Sequence, residues 1–352
     1  MAKHKVLIAD DSALMRRTLR KIIEADDELE LVAYARDGAD AVAKAKELQP
    51  DVISLDINMP VMDGVTALQH ILELEICPVV MVSSLTQRGA ATTFECMELG
   101  AFDFVAKPGG TVSSDMSAVQ QELVKKLKFA ARGRHSNRLA TRRRRARLDA
   151  VQLPSTASLR SASGRFRAIA IGISTGGPGT IMDVLPRIPA ETNGAVFLVQ
   201  HMPANFIGSF VSRLDKACAL TVVEAESGQK VEPGYCYVAS GDKQMTFYRR
   251  ASGAVYVRTP TTPKTLYTPS VDVMFDSCLS VYGADTIGVI MTGIGDDGAA
   301  ALQRIRSAGG HTIAESEETA VVYGMPREAV ARGAALEVLP CWDVAAAIQR
   351  AI

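Results

Sequence analysis

Short apolar runs alternate with amphipathic stretches in both halves of this chain, and this alternation constrains the fold more than any other feature. In the first half the apolar runs lie at residues 5–9, 31–35, 51–55, 78–82 and 101–105. In the second half they lie at residues 167–171, 195–199, 236–239 and 286–291. Strand–helix alternation of this kind predicts parallel sheets with right-handed crossovers. We therefore predict the α/β fold class, with two doubly wound parallel-sheet domains.

The composition narrows the class of protein. Hydrophobic residues make up 47% of the chain and charged residues 22%, and the formal net charge is zero, which is ordinary for a globular protein. The six cysteines include no C-x-x-C pair, which argues against a zinc cluster and against a disulfide framework. No apolar stretch approaches the roughly 20 residues that span a bilayer. We expect a cytoplasmic monomer with no membrane insertion.

The composition changes sharply between the two halves. Residues 131–167 contain eleven arginines and a single acid, Asp149, and show no sustained apolar period. This pattern is typical of a flexible, solvated connector. No aromatic residue between 131 and 165 offers a surface on which bases could stack, so we do not expect a nucleic-acid partner. We predict domains at 1–125 and 166–352, joined by a basic linker at 126–165.

Chemically reactive side chains follow the predicted strands of the first domain. Asp10 and Asp11 follow the first strand, Asp56 ends the third, Ser83 ends the fourth and Lys107 follows the fifth. Each has an ordinary alternative, since an aspartate at a strand end often caps the next helix. At one sheet edge, however, three carboxylates would repel unless a cation such as Mg²⁺ lay among them. Such a site could neutralise a phosphoryl group arriving at Asp56, with Lys107 and Ser83 contacting its oxygens.

These motifs resemble those of response-regulator receiver domains. The matching segments are Asp10-Asp11, the D-x-N-M-P-x-M-D-G stretch at 56–64, Val82-Ser83-Ser84 and Lys107-Pro108. The resemblance covers residues 1 to about 125 and implies a flavodoxin-like fold. It also implies that Asp56 accepts phosphate from a sensor histidine kinase and that the hydroxyl of Ser83 reorients on phosphorylation. The Mg²⁺ site that it implies comprises Asp10, Asp11, Asp56 and the backbone carbonyl of Asn58.

Three polar residues stand just beyond predicted strands in the second half. Ser174 lies in a G-x-S-x-G-G turn, His201 precedes a Met-Pro pair, and Asp297 lies in the glycine-rich stretch 293–298. Alternatives exist for each: the glycine loop could cradle a phosphate, His201 could be structural, and Asp297 could cap a helix. Together they supply a nucleophile, a base and an orienting acid. Their order differs from that of α/β-hydrolases, which indicates a different fold.

The second half also resembles the catalytic domain of the chemotaxis protein-glutamate methylesterases, the CheB family. The matching segments include 172–178, 200–203, 233–234, 240–242, 270–275, 291–293, 295, 297–298 and 323–326. The resemblance implies a Rossmann-like domain with catalytic Ser174, His201 and Asp297, and with the backbone N–H of Ile294 contacting the oxyanion. Ile294 stands where methionine is expected, and Gln244 where histidine is frequent, which leaves the role of that side chain open.

Taken together, the two resemblances imply a phosphorylation-activated carboxylic-ester hydrolase. Its substrates would be glutamyl methyl esters on the cytoplasmic helices of chemoreceptors, with a second activity on receptor glutamine amides and no cofactor for the esterase. We further expect the unphosphorylated receiver to cover the catalytic cleft. The alternative is a response regulator whose glycine loop binds a nucleotide without hydrolysis, but no Lys-Ser/Thr phosphate-loop ending follows Gly177. A transcriptional output is a further alternative, although no helix-turn-helix pattern follows the receiver.

Overall fold

The computed structural model describes residues 3–84, 86–107, 116–133 and 165–352. These residues belong to two compact units, which divide the chain between Leu139 and Ala140. Among the described residues, no helix combines the length and the apolar character needed to cross a membrane.

The first unit is a five-stranded parallel sheet in the order β2-β1-β3-β4-β5. The strands are β1 His4–Ala9, β2 Leu29–Ala35, β3 Val52–Asp56, β4 Val79–Ser83 and β5 Asp103–Ala106. The helices are α1 Ala13–Glu24, α2 Gly38–Leu48, α3 Gly64–Glu73, α4 Gln87–Leu99 and α5 Met116–Arg132. Every residue of β3, β4 and β5 is buried, as expected for strands covered by helices on both faces. The doubly wound α/β prediction is confirmed for this unit.

Helix α5 continues beyond the expected end of the first domain at residue 125. Leu127 and Ala130 are fully buried and Ala131 is nearly so. Because these apolar residues continue the helical spacing begun by Leu123, the helix remains packed in the first unit as far as Arg132. Residues 134–164, most of the expected linker, lie outside the described residues.

The second unit is a seven-stranded sheet in the order β14-β13-β12-β6-β7-β9-β8, with every pair parallel. The strands are β6 Arg167–Ile173, β7 Gly194–Gln200, β8 Thr221–Glu224, β9 Tyr235–Val238, β12 Thr286–Ile290, β13 His311–Glu315 and β14 Glu337–Leu339. A separate antiparallel hairpin comprises β10 Thr246–Arg249 and β11 Val255–Arg258. The helices are α6 Gly177–Thr180, α7 Ala204–Ala217, α8 Val271–Tyr282, α9 Ala299–Ser307, α10 Met325–Ala331 and α11 Cys341–Ala351.

The strand order explains where polar residues gather in this unit. β6 and β12 are neighbours in the sheet, but the chain passes from β6 to β7 on one side and from β12 to β13 on the other, so the connections after them run in opposite directions. Loops that follow such neighbouring strands diverge at the carboxyl edge and leave a crevice, which is where open α/β sheets bind their ligands. The loops after β6, β7 and β12 therefore meet at one crevice.

Candidate active site and phosphorylation site

Ser174 is the first residue after β6 and begins a tight turn. Its backbone N–H donates to Thr292 O at 2.9 Å, and its carbonyl accepts from the N–H of Gly177 at 2.8 Å. Gly176 has φ +77°, and a Cβ atom there would overlap the side chain of Val321. Only glycine fits this position without strain. The turn thus holds Ser174, whose side chain is largely buried, at the edge of the crevice.

His201 follows β7 and is tied to the turn of Ser174. Its N–H donates to Ile173 O at 3.2 Å. The buried side chain of Gln200 donates from Nε2 both to Ser174 O at 3.0 Å and to His201 O at 2.9 Å. Gln200 therefore fixes the spacing between the two loops. In the sequence, Gln200 is marked only by its place in the matching segment 200–203, directly before His201, and that place did not predict this bonding role.

Asp297 lies in the loop after β12 and orients the imidazole. Its Oδ2 atom accepts a hydrogen bond from His201 Nε2 at 2.9 Å. Three other groups donate hydrogen bonds to the carboxylate: the hydroxyl of Ser270 at 2.8 Å and the N–H groups of Val271 at 2.7 Å and Asp272 at 3.1 Å. Burial alone would raise the pKa of Asp297, but the bond from His201 and the two N–H groups hold that pKa below its ordinary value. Asp297 is thus kept ionised.

The hydrogen bond to Asp297 decides which nitrogen of His201 can act as a base. Because Nε2 donates its proton to the carboxylate, Nδ1 carries the lone pair of the neutral ring. Nδ1 is buried and has no hydrogen-bond partner among the described residues, so its bond to Ser174 is not formed in this structure. Such bonds are often long in the free enzyme and shorten only with substrate. Nδ1 is therefore the nitrogen available to take a proton.

The loop around Ile294 supplies backbone N–H groups near Ser174. The N–H of Gly293 donates to Val322 O at 3.0 Å, whereas the N–H of Ile294 has no acceptor within the described ranges. The hydroxyl of Thr292 donates to Thr175 O at 2.8 Å, which ties this loop to the turn of the serine. The Ile294 N–H is thus free to donate to an oxyanion.

The acidic residues of the first unit gather at the carboxyl edge of its sheet. Asp10 and Asp56 are buried and Asp11 is exposed, and one carboxylate oxygen from each lies within 4.8 Å of the others. The Nζ atom of Lys107 is 3.0 Å from Asp10 Oδ2 and 2.8 Å from Asp56 Oδ2. Asn58 is exposed two residues beyond Asp56. The predicted acidic residues and Lys107 therefore meet at one place.

This acidic cluster has the chemistry of a hard-cation site. Burial raises the pKa of Asp56 above its ordinary value, an effect that Lys107 opposes and the charge of Asp10 reinforces. Apart from the ion pairs with Lys107, both oxygens of Asp56 and Oδ2 of Asp10 are buried without a hydrogen-bond partner in the described part of the chain. Crowded carboxylate oxygens with unused lone pairs are the ligands that Mg²⁺ prefers. The residues present fit that ion.

Ser83 is buried beside the acidic cluster, and its hydroxyl contacts α4. The Oγ1 atom of Thr93 lies 2.9 Å from Ser83 Oγ and 2.7 Å from Gly89 O. Both side chains are buried. Thr93 could not be predicted from the sequence, because a threonine within an amphipathic helix has no distinguishing pattern of its own.

Comparisons with known proteins agree with this architecture. Residues 169–348 match the CheB methylesterase family model, and residues 6–113 match that of the response regulator receiver domain. The chain is 53% identical over 351 residues to protein-glutamate methylesterase/protein-glutamine glutaminase 3 of Syntrophomonas wolfei, which covers 99% of both chains. It is 49% identical over 348 residues to protein-glutamate methylesterase/protein-glutamine glutaminase 2 of Carboxydothermus hydrogenoformans, and the match covers 98% of each chain.

A solved structure supports the fold of the second unit. The crystal structure of the Thermotoga maritima CheB methylesterase catalytic domain is 35% identical, with a TM-score of 0.52. It covers 53% of this chain and 100% of its own. These comparisons favour a hydrolase over a nucleotide-binding output domain.

Proposed function

The chain belongs to the CheB family of protein-glutamate methylesterases/protein-glutamine glutaminases, and from that premise we propose which of its residues act and on what. With its receiver domain it is a phosphorylation-regulated methylesterase of chemotaxis. Its substrates are glutamyl methyl esters on the cytoplasmic helices of chemoreceptors, and receptor glutamine amides are a second class. The proposal places the enzyme in the cytoplasm, as a monomer that does not bind nucleic acid.

The catalytic cycle uses the residues around the crevice. Ser174 Oγ attacks the ester carbonyl carbon as its proton passes to His201 Nδ1. The Ile294 N–H donates to the oxyanion, and Asp297 stabilises the imidazolium. The intermediate then expels methoxide, which takes the proton from Nδ1 and leaves as methanol. Water attacks the acyl-enzyme with His201 again as the base, which releases the glutamate carboxylate and restores Ser174.

One observation carries this assignment. The hydrogen bond between His201 Nε2 and Asp297 Oδ2 joins residues 96 positions apart, and it leaves Nδ1 buried with an unused lone pair. A histidine with only a structural role would be expected to use both nitrogens, because a buried polar atom without a partner costs folding free energy.

The receiver domain supplies the regulation. Asp10, Asp11 and Asp56, with the backbone carbonyl of Asn58, would hold Mg²⁺, which when bound supplies positive charge against the carboxylates and phosphoryl oxygens. Asp56 accepts the phosphoryl group from a sensor histidine kinase. Lys107, already paired with Asp56, then pairs with the phosphoryl oxygens. Ser83 donates its hydroxyl to the same group.

Two measurements test the proposal. Methanol release from methylated receptor membranes should require Ser174 and should rise when a small phosphodonor and Mg²⁺ are added. Radiolabelled phosphodonor should label the wild-type receiver only with Mg²⁺ present and should not label Asp56→Asn. Hydrolysis by Ser174→Ala at the wild-type rate, or full labelling of Asp56→Asn, would refute the corresponding assignment.

A further inference from the structure

Residues 263–270, which lie between the hairpin and α8, pack against His201 and Asp297. The ring of Tyr267 is stacked on the imidazole of His201, with centroids 4.3 Å apart and planes 6° from parallel. A Cβ atom on Gly295 would lie 3.2 Å from the tyrosine hydroxyl, so the ring also borders the loop of Ile294. Tyr267 therefore limits rotation of the imidazole out of its plane.

The same segment ends at Ser270, which contacts the acid of the site. Ser270 is buried, and its hydroxyl donates to Asp297 Oδ1 at 2.8 Å. The opposite carboxylate oxygen, Oδ2, accepts from His201. With the N–H groups of Val271 and Asp272, Ser270 holds the carboxylate in one orientation. A carboxylate bonded on both oxygens cannot rotate without losing hydrogen bonds to a charged group, which are the strongest kind.

Gln244 fastens both ends of the segment. Its fully buried side chain donates from Nε2 to Pro263 O at 3.1 Å and to Thr265 Oγ1 at 2.9 Å. Its Oε1 atom accepts from the N–H of Ser270 at 2.8 Å. Both amide hydrogens and the acceptor are thus in use. An unbroken series of hydrogen bonds runs from Gln244 through Ser270 and Asp297 to His201.

We propose that residues 263–270, fastened by Gln244, are a positioning element for the general base. Tyr267 fixes the plane of the His201 imidazole, Ser270 fixes the carboxylate of Asp297, and Gln244 holds both in register. The aromatic face also favours the cationic form of the ring, which appears only as the serine proton is transferred. Tyr267, Ser270 and Gln244 therefore raise the rate of the chemical step, kcat, and do not affect substrate binding. This inference rests on the proposed role of His201.

The test compares variants of the phosphorylated full-length protein. Methanol release gives kcat and KM, and a fluorophosphonate that labels Ser174 to completion counts the active sites. Tyr267→Leu and Ser270→Ala should each lower kcat per labelled site about tenfold, with KM nearly unchanged. Tyr267→Phe keeps the ring and Ser270→Thr keeps the hydroxyl, so both should recover most of the rate.

Matched controls lie outside this element. Tyr256→Leu removes a tyrosine from the hairpin, and Ser280→Ala removes an exposed serine from α8. Both should keep the wild-type rate per site. Gln244→Leu should lower kcat as Ser270→Ala does, and the double variant should lose less than the product of the two single losses, because both act through Asp297.

The outcomes separate this inference from the proposed function. A wild-type protein that neither releases methanol nor takes up the label would refute the catalytic assignment itself. If the wild type is active, variants with fewer labelled sites but an unchanged rate per site would show a purely structural role and overturn the inference. Multiplicative losses in the double variant would overturn the role of Gln244.

Discussion

At the scale of single residues, the site depends on where protons and charges are held. Asp297 is buried, yet it accepts four hydrogen bonds, and its pKa lies below its ordinary value. His201 bonds to this carboxylate through Nε2, and its Nδ1 atom is buried without a hydrogen-bond partner among the described residues. The two nitrogens of the imidazole are therefore in different environments, one bonded to a carboxylate and one with an unused lone pair.

The three proposed catalytic residues should respond differently to substitution. Ser174→Ala and His201→Ala should each reduce hydrolysis by a factor of about 10⁴–10⁶, because nucleophile and base act as a unit. Asp297→Ala should cost less, because an unoriented imidazole is still a base. Initial rates of methanol release would measure this, with exposed Ser252→Ala as the control. A folded Asp297→Ala protein with an unchanged rate would remove Asp297 from the site.

Asp297 should also leave a signature in the pH dependence of stability. Because its pKa in the folded state is below the ordinary 3.8, its charged form stabilises the fold above that pH, and this contribution is lost as the pH falls through the folded pKa. Asp297→Asn should therefore lower the free energy of unfolding at neutral pH, and its difference from wild type should shrink below 3.8. Urea unfolding across pH tests this, with exposed Asp242→Asn as the control. A difference that persists unchanged at about pH 3 would contradict it.

At the scale of elements, the site lies where the ends of three strands meet the start of one helix. The loops after β6, β7 and β12 bring Ser174, His201 and Asp297 together, and the first N–H groups of α8 contact Asp297. Val271, the first residue of α8, packs closely on Gly172. A Cβ atom added to Gly172 would overlap the Cγ1 atom of Val271. The glycine of the strand therefore sets the distance between β6 and α8.

A methyl group at this contact should move the helix away from the carboxylate. Gly172→Ala should destabilise the second unit by about 1–3 kcal/mol and lower kcat. Gly179→Ala is the matched control, since a Cβ atom there meets nothing within 4 Å. Adding Val271→Ala to Gly172→Ala should restore part of both losses, because it removes the overlapping methyl groups. Thermal unfolding and methanol release measure the two effects, and no recovery in the double variant would show that this contact is not the cause.

At the scale of the whole molecule, the chain joins a receiver unit to a hydrolase unit through an arginine-rich stretch. Each unit has its own parallel sheet and its own buried core. The Thermotoga maritima catalytic domain, 35% identical to this chain, has been crystallised alone. The second unit should therefore fold without the receiver, which makes the regulation open to direct test.

Removing the receiver should release the hydrolase from inhibition. A fragment of residues 165–352 should release methanol faster than the unphosphorylated full chain, because the unphosphorylated receiver is expected to cover the cleft. Phosphodonor with Mg²⁺ should raise the rate of the full chain and leave the fragment unchanged. Full-length Asp56→Asn should not respond to the phosphodonor. A fragment no faster than the unphosphorylated full chain would mean that the receiver activates by positive contacts instead.

The sequence by itself determined the fold class and the strands nearest the sites. Apolar periodicity reports local burial, so it located all five strands of the first unit and β6, β7, β9 and β12 of the second. It missed β8 and β14, which are short edge strands, and β13, where polar and apolar residues mix. Polar residues directly after buried strands then indicated Ser174, His201 and the acidic cluster, because such positions share one edge.

Only the tertiary structure decided how the site residues are held. Tyr267 and Ser270 contact His201 and Asp297 from residues 263–270, where no apolar period indicates such a contact. Gln244 bonds to that segment, and Gln200 bonds to a turn 26 positions away. The choice of Nε2 for the bond to Asp297, which leaves Nδ1 with the lone pair of the neutral ring, also depends on that packing. Periodicity records which face of an element is buried, but not which distant surface buries it. Contacts between residues distant in sequence form only when the sheet and its loops are packed together.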